Sequence, residues 1–118
     1  GARAPVADYM IGASVIGASL AFMKALAEIG KRDGVQVNTV NPGSVQTDRF
    51  RHRLARIVAK TGLDEEAAIE HHRKELDVTR FGTPEEFGQA CAFLCSREAG
   101  FIVGQNLLID GGSVNLSM

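Results

Sequence analysis

The sequence predicts an α/β fold built on a parallel sheet, and three observations carry that expectation. Helical and strand-like patterns alternate along the 118 residues, in the order helix, strand, small helices, long helix, strand. The two strand candidates, 35–40 and 106–109, are short runs ended by Asn41-Pro42-Gly43 and Asp110-Gly111-Gly112. The chain between them is long enough to cross over a sheet face, so a right-handed parallel connection is expected.

Residues 1–8 read as a loop, because Pro5 excludes a helix before it. From 9 to about 29 the pattern is helical: Val15, Ile16, Ser19, Leu20, Phe22, Met23 and Leu26 recur at three- and four-residue spacing. Gly12, Ala13, Gly17, Ala18 and Ala21 give this helix a thin flank. Glycine costs roughly 1 kcal/mol against alanine in a helix interior, so Gly12 and Gly17 require close packing or a nearby ligand. Gly30 through Gly34 read as the turn out of the helix. The β-branched run Val35-Gln36-Val37-Asn38-Thr39-Val40 follows as a strand.

Beyond Thr47 lies a charged region, 48–60, and then a lightly packed, charged helix over 64–76. Thr83-Pro84-Glu85-Glu86 has the form of a helix start: threonine caps, proline fits the first turn, and Glu86 completes a capping box. Phe87, Ala90, Cys91, Phe93 and Leu94 form its core-facing stripe. Asn106-Leu107-Leu108-Ile109 reads as a buried strand. Two parallel strands cannot form a covered sheet by themselves, so the chain is expected to be part of a domain.

Composition narrows the function classes. Apolar residues make up 45% of the chain, enough for an ordinary core. A net charge of −1 and a pI near 6.3 give no field that would gather nucleic acid or anionic lipid. The longest apolar run, 15–26, is broken by Gly17, Ser19 and Lys24 and is too short to span a bilayer. No signal-peptide pattern opens the sequence, and two cysteines make no disulfide framework. A cytoplasmic protein without membrane or nucleic-acid partners is expected.

Three stretches resemble the short-chain dehydrogenase/reductase family, in that family's order. Val37-Asn38-Thr39-Val40-Asn41-Pro42-Gly43, continued by Ser44-Val45-Gln46-Thr47, resembles its strand and nicotinamide-side loop. Arg80-Phe81-Gly82-Thr83-Pro84-Glu85-Glu86 resembles the start of its last long helix. Gly104 through Gly112 resembles its final strand. The resemblance implies that residues 1–118 form the C-terminal portion of one Rossmann-like, doubly wound domain. It implies an oxidoreductase that moves hydride between NAD or NADP and a small-molecule carbonyl or alcohol. No Gly-x-Gly-x-x-Gly occurs, so the pyrophosphate-holding N-terminal half is expected outside these residues. The chain alone is therefore expected to be inactive, and its missing segment is an expected partner.

The resemblance also assigns residues. The strand's carboxyl end is where ligands of α/β sheets sit, and there Pro42 and Gly43 let backbone approach a planar ring. Val45 offers a backbone amide to a carboxamide, and Thr47 a hydroxyl. Tyr9, the only tyrosine, opens the helix in which the family carries its proton-transferring tyrosine four residues before a lysine, but Ala13 stands at that lysine's spacing and Lys24 is about four turns away, so the resemblance does not carry the pair over. A gapless match of 19–27 instead puts Gly12 at the tyrosine's place and Ile16 at the lysine's. Two readings stand: Tyr9 acts as a shifted acid aided by a group outside the chain, or Tyr9 only packs and the protein is a non-catalytic relative serving as a binding or oligomerisation module. Cys91 and Cys95 are read as small core residues, and His52, His71 and His72 as solvated or flap residues without a metal. Arg49, Arg51 and Arg53 are candidate substrate-lid residues. A homo-oligomer is expected, through the thin helix flank and the last strand with residues 113–118.

Overall fold

The structure, a computed structural model, describes residues 7–114. The expectations for residues 1–6 and 115–118 lie outside the described residues. The architecture is α/β with a parallel sheet, of two strands among those residues. Strands β1 (Thr39–Pro42) and β2 (Asn106–Ile109) pair side by side. The chain divides into two compact units. One holds the chain up to Asn41 with Ala90–Leu108, and the other holds Pro42–Gln89 with Ile109–Ser113.

In the first unit, a 3-10 turn (Ala7–Tyr9) leads into α1 (Met10–Asp33). The helix is longer than its sequence pattern indicated, because Gly30 does not end it. Gly30 is buried, and a Cβ there would lie 2.5 Å from the Val35 carbonyl oxygen, so it is a close-contact residue within the helix. The stop comes at Gly34, in the left-handed region at φ 68°, whose N–H donates to the Gly30 carbonyl. Ala13, Ala27 and Gly30 form the buried stripe of α1, and Lys24 Nζ donates to the Gly104 carbonyl at 2.8 Å. By length and composition the continuous stretch Ala7–Asp33 is apolar enough to cross a bilayer, which the run 15–26 did not suggest. Its outward residues Ile11, Val15, Phe22 and Ile29 are each more than half exposed.

The first strand is shorter and later than expected. Residues 35–38 lie outside the strand, although Gly104 N–H donates to the Val37 carbonyl at 2.8 Å. Gln36 Nε2 donates to the Ala99 carbonyl at 2.7 Å, and Asn38 bonds the Ile102 carbonyl and the Gln105 amide. The Asn41 amide bonds the Asn106 side chain, which Thr39 also approaches. β2 is only partly covered, with Leu107 at 37% exposure, against the expectation of a buried strand. The C-terminal end of α4 (Pro84–Leu94) departs similarly: Phe93 and Cys95 are exposed and Cys91 is half-buried. The two cysteines are thus not core residues among the described contacts.

In the second unit, residues 48–61 form a helix that the charge density concealed, α2 (Asp48–Thr61). Phe50, Leu54, Ile57 and Val58 supply its inner stripe at helical spacing, Leu54 fully buried. Gly62 ends it at φ 70°. Asp64 caps α3 (Glu65–Glu75) by accepting from the Ala67 amide at 2.8 Å. This helix is not lightly packed, because Ala68 and His72 are buried. Arg73 spans its exit, holding both Glu70 oxygens at 2.7 Å and the Val78 carbonyl at 2.7 Å.

Candidate functional site

The loop that leaves β1 lies wholly in the second unit. Gly43 N–H donates to the Ile109 carbonyl at 2.8 Å, which continues the parallel register by one residue. A Cβ on Gly43 would stand 2.6 Å from Asp110 Cα and 2.7 Å from Asp110 Cβ. Close packing of the two strand ends therefore accounts for this glycine by itself, without a ring beside it.

The next residues give the loop its chemistry. Val45 and Gly82 form an isolated parallel bridge. Gly82 N–H donates to the Ser44 carbonyl at 3.1 Å, and Gln46 N–H to the Gly82 carbonyl at 2.9 Å. In a parallel bridge those two bonds flank the bridged residue, so the N–H and carbonyl of Val45 face the opposite edge. The Val45 carbonyl accepts the Thr47 hydroxyl at a long 3.4 Å. The Val45 N–H has no backbone partner among the described residues and is free to donate to a carbonyl-bearing ligand.

Thr47 holds the N-cap position of α2 in extended backbone, but its hydroxyl does not cap the helix. Asp48 in the first turn is held by Arg51, whose guanidinium keeps the carboxyl below its ordinary range. The threonine oxygen thus stands beside unfilled helix N–H groups, a combination suited to an anion such as phosphate. Pro42 is exposed at the end of β1.

The far side of the loop is fixed by the start of α4. Glu86 N–H donates to Thr83 Oγ1 at 3.2 Å and Thr83 N–H to Glu86 Oε2 at 2.9 Å, the expected capping box. Arg80 closes it with bonds of 2.8 and 2.5 Å to the two Glu86 oxygens. The Arg80 hydrogen bond, then the Thr83 amide, draw the Glu86 carboxyl down to about 2. A cavity of about 190 Å³ opens on this side, against Ser44, Val45, Gly82, Thr83 and Asp110.

Tyr9 belongs to the first unit. It is 43% exposed at the N-cap of α1. Its ring covers Gly12 so closely that a Cβ there would stand 2.3 Å from Tyr9 Cζ. Gly12 therefore has its packing reason in the tyrosine. Ala13 is buried at 6% exposure, and Lys24 is committed to Gly104, some 22 Å along the helix at 1.5 Å per residue. Neither residue of α1 weighed for the role, Ala13 or Lys24, brings a cation to the phenol.

Of the other candidates, His52 and His71 are exposed as expected, but His72 is 1% exposed and no flap residue. Phe50, His72 and Phe81 make a three-ring cluster with centroids 4.6 to 6.2 Å apart. Two histidines side by side in a charged helix gave no sign that one is inside, since the rings that enclose it come from distant parts of the chain. Among the described residues no group of three or more potential metal ligands occurs. Arg51 is engaged with Asp48, and Arg53 approaches Glu75 at 3.8 Å.

The family profile described as enoyl-(acyl carrier protein) reductase matches residues 1–114. The NADPH-dependent reductase BacG of Bacillus subtilis is 33% identical over 105 residues, covering 89% of this chain and 39% of BacG. An acetoacetyl-CoA reductase of Cupriavidus necator is 36% identical over 91 residues, 77% of this chain and 32% of the relative. The crystal structure of YwfH, an NADPH dependent reductase involved in bacilysin biosynthesis, superposes on 98% of this chain and 44% of its own. The TM-score is 0.86 at 27% identity. The chain thus spans between 32% and 44% of the length of these relatives.

Proposed function

The chain belongs to the short-chain dehydrogenase/reductase family, and from that premise we propose that it is the nicotinamide-side part of an NAD(P)-dependent oxidoreductase. The observation that carries the proposal is the Val45 amide, turned outward by the bridge to Gly82 at the carboxyl end of a parallel strand. In this reading Val45 N–H orients the cofactor's carboxamide and Thr47 Oγ1 bonds its neighbouring phosphate. Pro42 and Gly43 shape the wall beside the ring. NADP or NAD, when bound, supplies or accepts hydride at a small-molecule carbonyl or alcohol. Relatives described as NADPH-dependent support NADP.

Residues 1–118 are, in this reading, the C-terminal portion of one Rossmann-like domain, and the pyrophosphate is held by chain outside them. Tyr9 passes the proton at its phenol oxygen, with a cation supplied from outside these residues. A cation beside the phenol favours loss of its proton, and the buried Ala13 supplies none. The protein is soluble and cytoplasmic, and it associates with itself. Support for association is the outward seam Ile11, Val15, Ala18, Phe22, Ala25 and Ile29 on α1, spaced alternately by four and three residues. This differs from the expected flank, since Gly12 and Gly17 are half-buried.

Turnover of a carbonyl substrate with NADPH or NADH by the full-length protein, compared with Tyr9→Phe, tests the catalytic part. Loss of turnover with cofactor affinity kept is the expected result. Unchanged turnover removes Tyr9 from the mechanism, and cofactor binding without any turnover favours the non-catalytic module.

A further inference from the structure

The cations of α2 form a pattern that the proposed chemistry does not use. Arg49, Arg53, Arg56 and Lys60 follow one another by four, three and four residues. At about 100° per residue they fall within a wedge of roughly 60°, along a stripe roughly 16 Å long. All four are exposed, and His52 stands exposed at the edge of the stripe. Asp48 is the only carboxylate of α2, and it is held by Arg51 on another face of the helix. Among the described residues Arg49, Arg56 and Lys60 form no ion pair, and Arg53 comes only within 3.8 Å of Glu75.

This arrangement is unfavourable in the free protein. Arg49–Arg53, Arg53–Arg56 and Arg56–Lys60 set like charges at helical contact spacing, which weakens a helix. Arg49 stands in the first turn, where the helix dipole disfavours a cation. The neighbouring helices are built otherwise: α1 pairs Glu28 with Lys31, and α3 pairs Glu70 with Arg73 and Lys74. A merely solvated face gains nothing from such repulsion, whereas a docking face is relieved of it when an anionic partner binds.

We propose that this stripe is the docking face for an acidic helix of a partner protein, one whose carboxylates repeat at the same four-three-four spacing. The shape of the surface selects that occupant. A small phosphate ligand is held by cations that converge on it in a concave site, but these four stand in a row along an exposed helix. A nucleic-acid duplex or a lipid surface is broad. It would also press on α3, which packs against α2 and exposes Asp64, Glu65, Glu66 and Glu75. A single helix is narrow enough to meet the cations without those acids.

The docking face goes beyond the cofactor reading and does not depend on it. The test is fluorescence anisotropy of a labelled peptide added to the full-length protein. The peptide is stapled, because short helices are marginal in water, and carries glutamates spaced by four, three and four residues. A second peptide has the same composition with the glutamates permuted around the helix. The first should bind saturably, weaken with added salt, and bind about tenfold tighter than the second. Arg49→Glu combined with Arg56→Glu should weaken it about tenfold. Lys31→Glu combined with Arg32→Glu, the same change of charge on α1, should leave it unaltered. Arg49→Glu alone should raise the urea midpoint, since it removes one repulsion and places an acid in the first turn. A fall in that midpoint overturns the proposal. So do equal binding of both peptides, no binding, binding that ignores the α2 variants, or tighter binding of duplex DNA or phosphatidylserine vesicles. Peptide binding by a protein that binds neither NADPH nor NADH sinks the proposed function and leaves the docking face standing.

Discussion

Val45 and Gly82 are bridged in parallel, and this single pairing gives the loop after β1 a donor that its own backbone does not consume. It joins two segments that the sequence suggested separately, the strand end and the approach to α4.

Gly43 is fixed by backbone. Its would-be Cβ meets Asp110 Cα at 2.6 Å, and main-chain atoms cannot swing aside as a side-chain tip can. Gly43→Ala should destabilise the protein by about 1–3 kcal/mol, the cost of overpacking. Urea unfolding of the variant against the wild type measures it, and an unchanged midpoint contradicts the close approach.

Gly12 predicts the opposite sign. Here the obstacle is the exposed ring of Tyr9, which can move. Gly12→Ala should stabilise α1 by roughly 0.5–1 kcal/mol through helix propensity while displacing the phenol. Tyr9 is the only tyrosine and there is no tryptophan, so intrinsic fluorescence reports the displacement directly. Unaltered emission together with unaltered stability would show that the ring does not rest on Gly12.

The capping box should survive acid. Arg80 and the Thr83 amide favour ionised Glu86, so its folded-state carboxyl titrates at about 2, against about 4.3 in an unfolded chain. A depressed carboxylate contributes stability that is fully present above the unfolded value and is lost as pH falls towards the folded one. The carbon-13 shift of the Glu86 carboxyl, followed from neutral pH downward, should stay ionised through pH 4. Glu86→Gln should remove that acid-dependent contribution from the urea midpoint.

The outward seam of α1 carries the prediction about association. Phe22 is 65% exposed and Val15 61%. Phe22→Glu should shift the sedimentation profile of the full-length protein from an oligomer towards monomer without changing its circular dichroism. A profile that stays oligomeric places the contact elsewhere.

The parts of this fold legible in the sequence are those set by neighbours along the chain. The Thr83–Glu86 box depends on residues three apart, and it formed as written. β2 follows from an apolar run closed by two glycines, both of which adopt positive φ. Gly30 misled because a glycine that terminates a helix and one that admits a close backbone contact are the same letter. α2 was hidden by its arginines, although Phe50, Leu54, Ile57 and Val58 kept a helical period beneath them. The loop from Pro42 to Thr47 could be placed at the end of β1 from motif and position. The direction of the Val45 amide could not, because Gly82 imposes it from a distant part of the chain. The burial of His72 was invisible for the same reason, as Phe50 and Phe81 enclose it from either side in sequence.

The central claim is that this chain forms the nicotinamide side of a cofactor site, and a fluorescence titration of the full-length protein with NADPH and with NADH tests it most directly. The account predicts saturable binding of at least one of the two, with NADPH the stronger. Failure of both to bind would contradict it.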